Sequence, residues 1–253
     1  MNGRYLLVSL HIIALLIGCS TFAVAQAPEP VYSGSFGGGF AVTGGNTDTT
    51  NFNLAFELLR DPKTRNRIKV TALYLRGSQN DVVSLDRGTL TIRDEYTLSN
   101  RAFLFGQADY LRDQFKEIRY LIAPVAGFGY KLVNTDRAVL SVSAGAGGVW
   151  EKNFGRPVEK SGSLTVGQSF SYKLSSATTI TQSLGTLSQS VGTLWKTNDL
   201  EDSFTNFSLG LSTSLTRRLQ LKIEFIDSFK NKPANASIKR NDTALVTTFG
   251  VRF

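Results

Sequence analysis

Through most of the chain, large apolar residues recur at every second position with small or polar residues between them. Phe52, Leu54, Phe56 and Leu58 interleave with Asn51, Asn53, Ala55 and Glu57. Leu219, Leu221, Ile223 and Phe225 do the same with Gln220, Lys222 and Glu224, as do Phe207, Leu209 and Leu211 with Ser208, Gly210 and Ser212. A period of two is that of a strand with one apolar and one polar face. The pattern predicts twelve strands, at Tyr32–Val42, Thr49–Arg60, Arg67–Gly77, Leu85–Thr97, Arg101–Arg112, Ile118–Leu132, Arg137–Trp150, Val158–Tyr172, Ala177–Leu187, Asp202–Leu215, Leu219–Phe229 and Asp242–Phe253. These are longer than the strands usual in soluble sheets and suit an oblique bilayer crossing. The expected fold is all-β, a single antiparallel transmembrane β-barrel of about twelve strands, an even number as a closed antiparallel ring requires. A soluble sandwich also alternates in polarity and stands as the other reading.

The final strand sharpens the choice. Leu245, Thr247, Phe249, Val251 and Phe253 share one face, and Ala244, Val246, Thr248, Gly250 and Arg252 share the other. An amphipathic closing strand that ends on Phe is the pattern of a bacterial outer-membrane barrel. Phe249, Val251 and Phe253 are thus the candidate assembly signal for the barrel-insertion machinery. The connections agree in phase. Those at Asp61–Asn66, Leu98–Asn100, Val133–Asp136, Lys173–Ser176 and Thr216–Arg218 are short, whereas Ser78–Ser84, Glu151–Pro157, Ser188–Glu201 and Lys230–Asn241 are longer. Thr43–Asp48 and Asp113–Glu117 are the short exceptions among the second set. Tight periplasmic turns and larger outer loops are expected of such a barrel.

Residues 1–25 read as a cleaved signal peptide, with Arg4, an apolar run over Leu6–Ile17 and then small residues, leaving 26–253 as the barrel. Two processing sites compete: Ala23-Val24-Ala25 for the general peptidase, and Leu16-Ile17-Gly18-Cys19 for lipoprotein processing at Cys19. The single His and single Cys, His11 and Cys19, both fall in this segment. The mature chain then offers no imidazole, no disulfide and no His- or Cys-based metal site, so no cofactor, metal or catalytic residue is expected. Of 28 basic residues one, Arg4, is lost with the signal, and 27 against 20 acidic gives +7. Such a balance favours anionic lipid head groups or acidic solutes, and outer-membrane lipid and lipopolysaccharide are the expected contacts. Basic residues are scattered without a stripe, which argues against nucleic acid.

By parity Glu57, Lys69, Arg93, Glu95, Asp109, Arg119, Lys222 and Glu224 fall on the inward face and are the candidate lumen-lining residues. Facing lipid, each would cost a few kcal/mol. Facing inward, they either fill and rigidify the lumen through ion pairs or line a narrow hydrated path. The carboxylate pairs Asp94/Glu95 and Asp109/Asp113 are the one arrangement suggestive of acid–base chemistry, set against simple pairing with Arg or Lys. Tyr74, Tyr96, Tyr110, Tyr130, Trp150 and Tyr172 fall near strand ends, where an aromatic girdle would sit at head-group depth. Gly127, Gly129, Gly145 and Gly147 lie along single faces and would make room for bulky partners.

Several motifs occur in a fixed order. Gly44-Gly45-Asn46-Thr47 follows a Gly-rich strand, then come Asp109-Tyr110-Leu111-Arg112-Asp113-Gln114-Phe115, Arg119-Tyr120 and Gly127-Phe128-Gly129-Tyr130-Lys131-Leu132. Together they resemble the domain-of-unknown-function 481 family, whose members are often labelled salt-induced outer-membrane proteins. The resemblance covers essentially all of the mature chain. It implies an outer-membrane β-barrel with an osmotic-response role and no established substrate or catalytic residue. Gly45, Asn46, Arg112, Asp113, Phe115, Gly127, Gly129 and Tyr130 carry the motif. Physically, Gly44-Gly45-Asn46 suits a tight turn. Asp113 or Asp109 is expected to pair with Arg119 or Arg112 across the hairpin between the fifth and sixth strands. The expected role is a non-enzymatic narrow channel or structural envelope protein, or else a surface binder using Ser188–Glu201 and Lys230–Asn241 as ligand loops.

Overall fold

The structure, a computed structural model, describes residues 31–44, 49–79, 82–174, 185–216 and 218–253. The expected signal peptide, both candidate processing sites and the expected turn residues Gly45 and Asn46 lie outside the described residues. The strands are β1 (Tyr32–Gly44), β2 (Thr49–Arg60), β3 (Asn66–Gln79), β4 (Val82–Thr97), β5 (Ala102–Asp113) and β6 (Ile118–Asn134), followed by β7 (Ala138–Asn153), β8 (Val158–Leu174), β9 (Gly185–Lys196), β10 (Asp199–Ser214), β11 (Leu219–Lys230) and β12 (Asn241–Arg252). Each pairs antiparallel with its chain neighbours, and β1 pairs with β12, so the sheet closes on itself as one barrel. A single closed ring excludes the two-sheet sandwich.

Closure is tight. The Gly34 N–H donates to the Phe253 carbonyl at 3.0 Å and the Phe253 N–H donates to the Gly34 carbonyl at 3.1 Å, so the ladder runs to the last residue. Along this seam Gly37 and Gly39 face inward opposite Gly250 and Thr248. A Cβ on Gly39 would stand 1.9 Å from the Thr247 carbonyl oxygen, so only glycine permits this approach. The rim holding the start of β1 and the end of β12 is called here the terminal rim, and the opposite one the distal rim.

The alternation of the sequence becomes inside against outside. On β5 Phe103, Phe105, Leu111 and Asp113 are buried, whereas Leu104 and Tyr110 between them are exposed. The outer wall is apolar, with Phe40, Val166, Phe249 and Val251 all more than half exposed. All six expected girdle aromatics face outward. Tyr74, Tyr110 and Trp150 lie towards the distal rim, and Tyr96, Tyr130 and Tyr172 towards the terminal rim. Two aromatic bands around an apolar wall are the surface that suits a bilayer.

Two expectations fail. The ninth strand, expected at Ala177–Leu187, is found at Gly185–Lys196, and the part of the expected strand before Gly185 lies largely outside the described residues. The segment Ser188–Glu201, expected as a long loop, is therefore mostly strand, with only 197–198 between β9 and β10. The alternation of short and long loops goes with it. Polar positions such as Ser188, Ser190 and Glu151 were read as loop by composition, yet they extend the ladders because a lumen-facing strand position tolerates polarity. Only 231–240 remains as an extended distal connection among the described residues.

Candidate functional site

The inward face divides into a wet and a dry half. In the terminal half Lys69 pairs with Glu57 at 3.2 Å, the two side chains being 49% and 38% exposed. Lys222 pairs with Glu224 at 2.9 Å, and Arg93 with Glu95 at 2.7 Å. Arg93 also donates to Gln107 at 2.7 Å and lies 4.1 Å over the Phe105 ring. Gln107 and Thr91 both donate to the Asp109 carboxylate, at 2.6 and 2.7 Å. The other wall is hydroxyl-lined: Ser141 and Ser169 hydrogen-bond at 2.8 Å and Ser190 and Ser208 at 2.9 Å, all on exposed surface.

The glycines of the G-x-G-Y motif help to build this half. Gly127 and Gly129 of β6 stand opposite Phe105 and Phe103 of β5. A Cβ on Gly129 would fall 2.1 Å from the Phe103 ring. The Phe103 ring therefore lies over Gly129, Gly127 instead admits the Ala144 carbonyl of β7, and the Phe105 ring reaches Gly145 and carries the Arg93 guanidinium. Tyr130 points outward into the terminal aromatic band.

The distal half is filled. One apolar cluster, Ala41, Leu75, Leu85, Ala244 and Val246, occupies one side, and another, Leu111, Ile118, Leu121, Ala123 and Val149, occupies the other. Ion pairs cross between the walls. Glu151 of β7 receives Lys230 of β11 at 2.6 Å and Lys196 of β9 at 2.8 Å, with the Glu151 side chain only 1% exposed. Lys196 also reaches Asp202 at 2.6 Å and Glu159 at 3.1 Å.

A second web starts from Asp113. Its carboxylate pairs with Arg87 at 3.8 Å and accepts the backbone N–H groups of Phe115 at 3.1 Å and Lys116 at 3.0 Å. That cap ties the 114–117 turn, which closes through Glu117 in the left-handed conformation, φ 58°. The turn aims Lys116 into the lumen, where its ammonium, 2% exposed, meets Asp242 at 3.2 Å and donates to the Ser228 carbonyl at 2.9 Å. Burial pushes the Lys116 amine below its ordinary value, with the Asp242 carboxylate pulling the other way. Arg87 of β4 donates to the Ser228 hydroxyl of β11 at 2.6 Å, and that hydroxyl donates to Asn206 at 2.7 Å. Since β4 and β11 stand almost opposite in the ring, this bond spans the lumen.

The expected site residues fare unevenly. Glu57, Lys69, Arg93, Glu95, Asp109, Lys222 and Glu224 all take inward positions in the registers. Arg119 does not: it lies in a register break between Ile118 and Tyr120 and is exposed. The bulge shifts parity by one, which no alternation count reveals. The expected pairing across the β5–β6 hairpin is also corrected. Arg112 faces outward and pairs with Asp86 at 3.1 Å, and Asp113 pairs with Arg87, so both partners come from β4. Phe115 sits in the turn that Asp113 caps. Asp94 and Glu95 fall on opposite faces, and Asp109 and Asp113 each bind separate partners, so neither pair is a converging acid–base couple.

Sequence reasoning missed Glu151, Lys196, Lys230, Asp202, Arg87 and Lys116. The signal was available for some, because Val149, Glu151 and Asn153 continue one parity, as do Ser228 and Lys230. The carboxylates of Glu151, Glu159 and Asp202 converge within 4.8 Å, in principle enough for a cation. The Lys196 ammonium pairs with all three, however, and supplies that positive charge from the chain itself.

Comparison with known proteins gives the fold a context. The family model described as a protein of unknown function, DUF481, matches residues 37–253. Among solved structures, the NanC porin matches with TM-score 0.53 at 9% identity, covering 88% of this chain and 98% of the porin. A bacterial polysaccharide outer membrane secretin (TM-score 0.45, 10% identity, 88% and 98% coverage) and the KdgM porin in complex with disordered oligogalacturonate (0.45, 8%, 87% and 98%) are more distant. No curated protein matches the sequence.

Proposed function

The chain belongs to the DUF481 family, and on that premise we propose that it is a bacterial outer-membrane barrel holding a narrow passage for small polar solutes, shut at rest on its outer side. The apolar wall between two aromatic bands supports insertion in a membrane. The distal rim then faces outward, as in barrels whose termini lie in the periplasm. On β12, Phe249, Val251 and Phe253 present the outward surface that we assign to the insertion machinery.

One observation carries the passage reading. The lumen charges are part-exposed in the terminal half and, Glu159 apart, mostly buried in the distal half, where two cross-lumen webs join distant strands. A barrel meant only as a solid scaffold has no use for a wet half lined with mixed charges and serine hydroxyls. A permanently open pore has no use for the dry half. Wet below and sealed by reversible pairs above describes a gate. Both charge signs line the wet half, so weak ion selectivity follows. The function is non-enzymatic in this reading, since the buried carboxylates Asp86, Asp113 and Glu151 of the distal half each have a cationic partner.

Planar-bilayer conductance of the refolded protein tests this directly. Wild type should be nearly silent, and the Glu151→Ala/Lys196→Ala/Lys230→Ala variant should show steady steps. Silence from that variant, with heat-dependent gel mobility proving it folded, would replace the channel with a filled structural barrel.

A further inference from the structure

The outer wall is not electrically uniform near the distal rim. Arg76 on β3, Arg112 on β5, Arg119 on β6, Lys152 on β7 and Lys160 on β8 all lie within three residues of the distal end of their strands. Arg76, Arg119 and Lys160 are exposed, and the Arg112 side chain is 43% exposed. The register puts Arg76, Arg112, Lys152 and Lys160 on the outward face. Among the described strand residues of this distal arc, one outward carboxylate stands against these five cations, Asp86, paired with Arg112. The opposite arc differs: near their distal ends β9–β12 turn outward Trp195, Thr205, Asp227 and Thr243, with no strand Lys or Arg among the described residues.

Below Arg76 and Arg112 the wall is indented. An apolar groove of about 350 Å³ runs between Phe36, Phe56, Tyr74 and Tyr110, and its floor is made by the small residues Ala72 and Gly88. Asp86 stands between Arg76 and Arg112 and neutralises one of them, yet the arc as a whole keeps a cationic excess. A cationic rim above an acyl-sized groove matches one class of occupant, because guanidinium pairs with phosphate oxygens in a planar fork and the groove takes hydrocarbon.

We propose that the distal arc of β3–β8 is a binding surface for a phosphate-bearing lipid of the leaflet at that rim, its phosphate held by the exposed outward cations of the arc and an acyl chain in the groove. The inference rests on the membrane placement argued above. It makes the barrel two-sided in the plane of the membrane, with anionic lipid gathered along one arc and not along the other.

The two tryptophans are placed to report this, Trp150 on β7 within the arc and Trp195 on β9 outside it. The full chain is reconstituted as Trp195→Phe or Trp150→Phe in vesicles of phosphatidylcholine and phosphatidylglycerol, with bromine on the acyl chains of one lipid or the other. Brominated phosphatidylglycerol should quench Trp150 several-fold more than brominated phosphatidylcholine at equal mole fraction, while Trp195 responds equally to both. Changing the five cations to Gln should make Trp150 respond like Trp195. Equal quenching of Trp150 by both lipids overturns the proposal while leaving the membrane placement intact. No quenching of either tryptophan by either lipid overturns the membrane placement itself, and the lipid surface with it.

Discussion

Lys230 of β11 donates to Glu151 of β7 at 2.6 Å, joining two strands that stand four places apart around the barrel. Neighbouring strands already share a ladder. A bond between distant strands can only cross the lumen, so this pair measures how far the distal mouth has closed.

Replacing Glu151 by Ala should cost about 3–5 kcal/mol, because it leaves buried Lys230 with only the distant Asp202 carboxylate, which Lys196 also uses. Replacing the pair together, as Glu151→Leu/Lys230→Met, should cost far less, since no uncompensated charge is left between those positions. Urea unfolding of the lipid-reconstituted barrel reads both values. Equal losses in the single and double variants would show that the pair is not coupled.

Asp113→Ala should release the 114–117 turn, since the carboxylate holds two of its N–H groups as well as Arg87. Lys116 should then become accessible, and trypsin added to intact vesicles should cleave after it. Wild type should resist. Protection that persists in the variant would show that packing alone holds the turn.

Lys116 also predicts a pH dependence. Its amine is held below the ordinary 10.5 in the folded chain. Between that lowered value and 10.5 the unfolded chain binds this proton more tightly than the folded one. Its contribution to stability therefore rises with pH through that window. The stability of wild type measured against Lys116→Met should climb between neutral and strongly alkaline buffer. A flat difference would mean that the Asp242 pairing cancels the burial.

At the seam, Gly39→Val should block closure of β1 on β12, because even the first added carbon meets the Thr247 carbonyl. The expected result is loss of the heat-dependent mobility shift that marks a closed barrel. A Val variant that still migrates as a closed barrel would show that the seam has slack.

Much of this molecule is legible in the chain alone. The period of two specifies strands, and their inward and outward faces follow without a structure, which is why Glu57, Lys69 and the six outward aromatics fall where parity puts them. The glycine positions of β6 are readable too, although not the reason for them: the Phe103 ring lies across Gly129 and the β7 backbone presses on Gly127. Parity fails where the backbone gains a residue. Arg119 is lost to a bulge that has no sequence signature of its own, and the polar distal ends of β7 and β9 resemble loops by composition.

What the sequence by itself determined is the kind of object: an alternating, aromatic-banded, even-stranded barrel whose mid-strand charges turn mostly inward. The pairing of those charges was left to the tertiary structure. Alternation tells which face a side chain takes, but partners across a lumen depend on ring size, strand tilt and register. Glu151, Lys196 and Lys230 become neighbours only when the sheet has closed, and that closure turns a lining of scattered charges into a connected web.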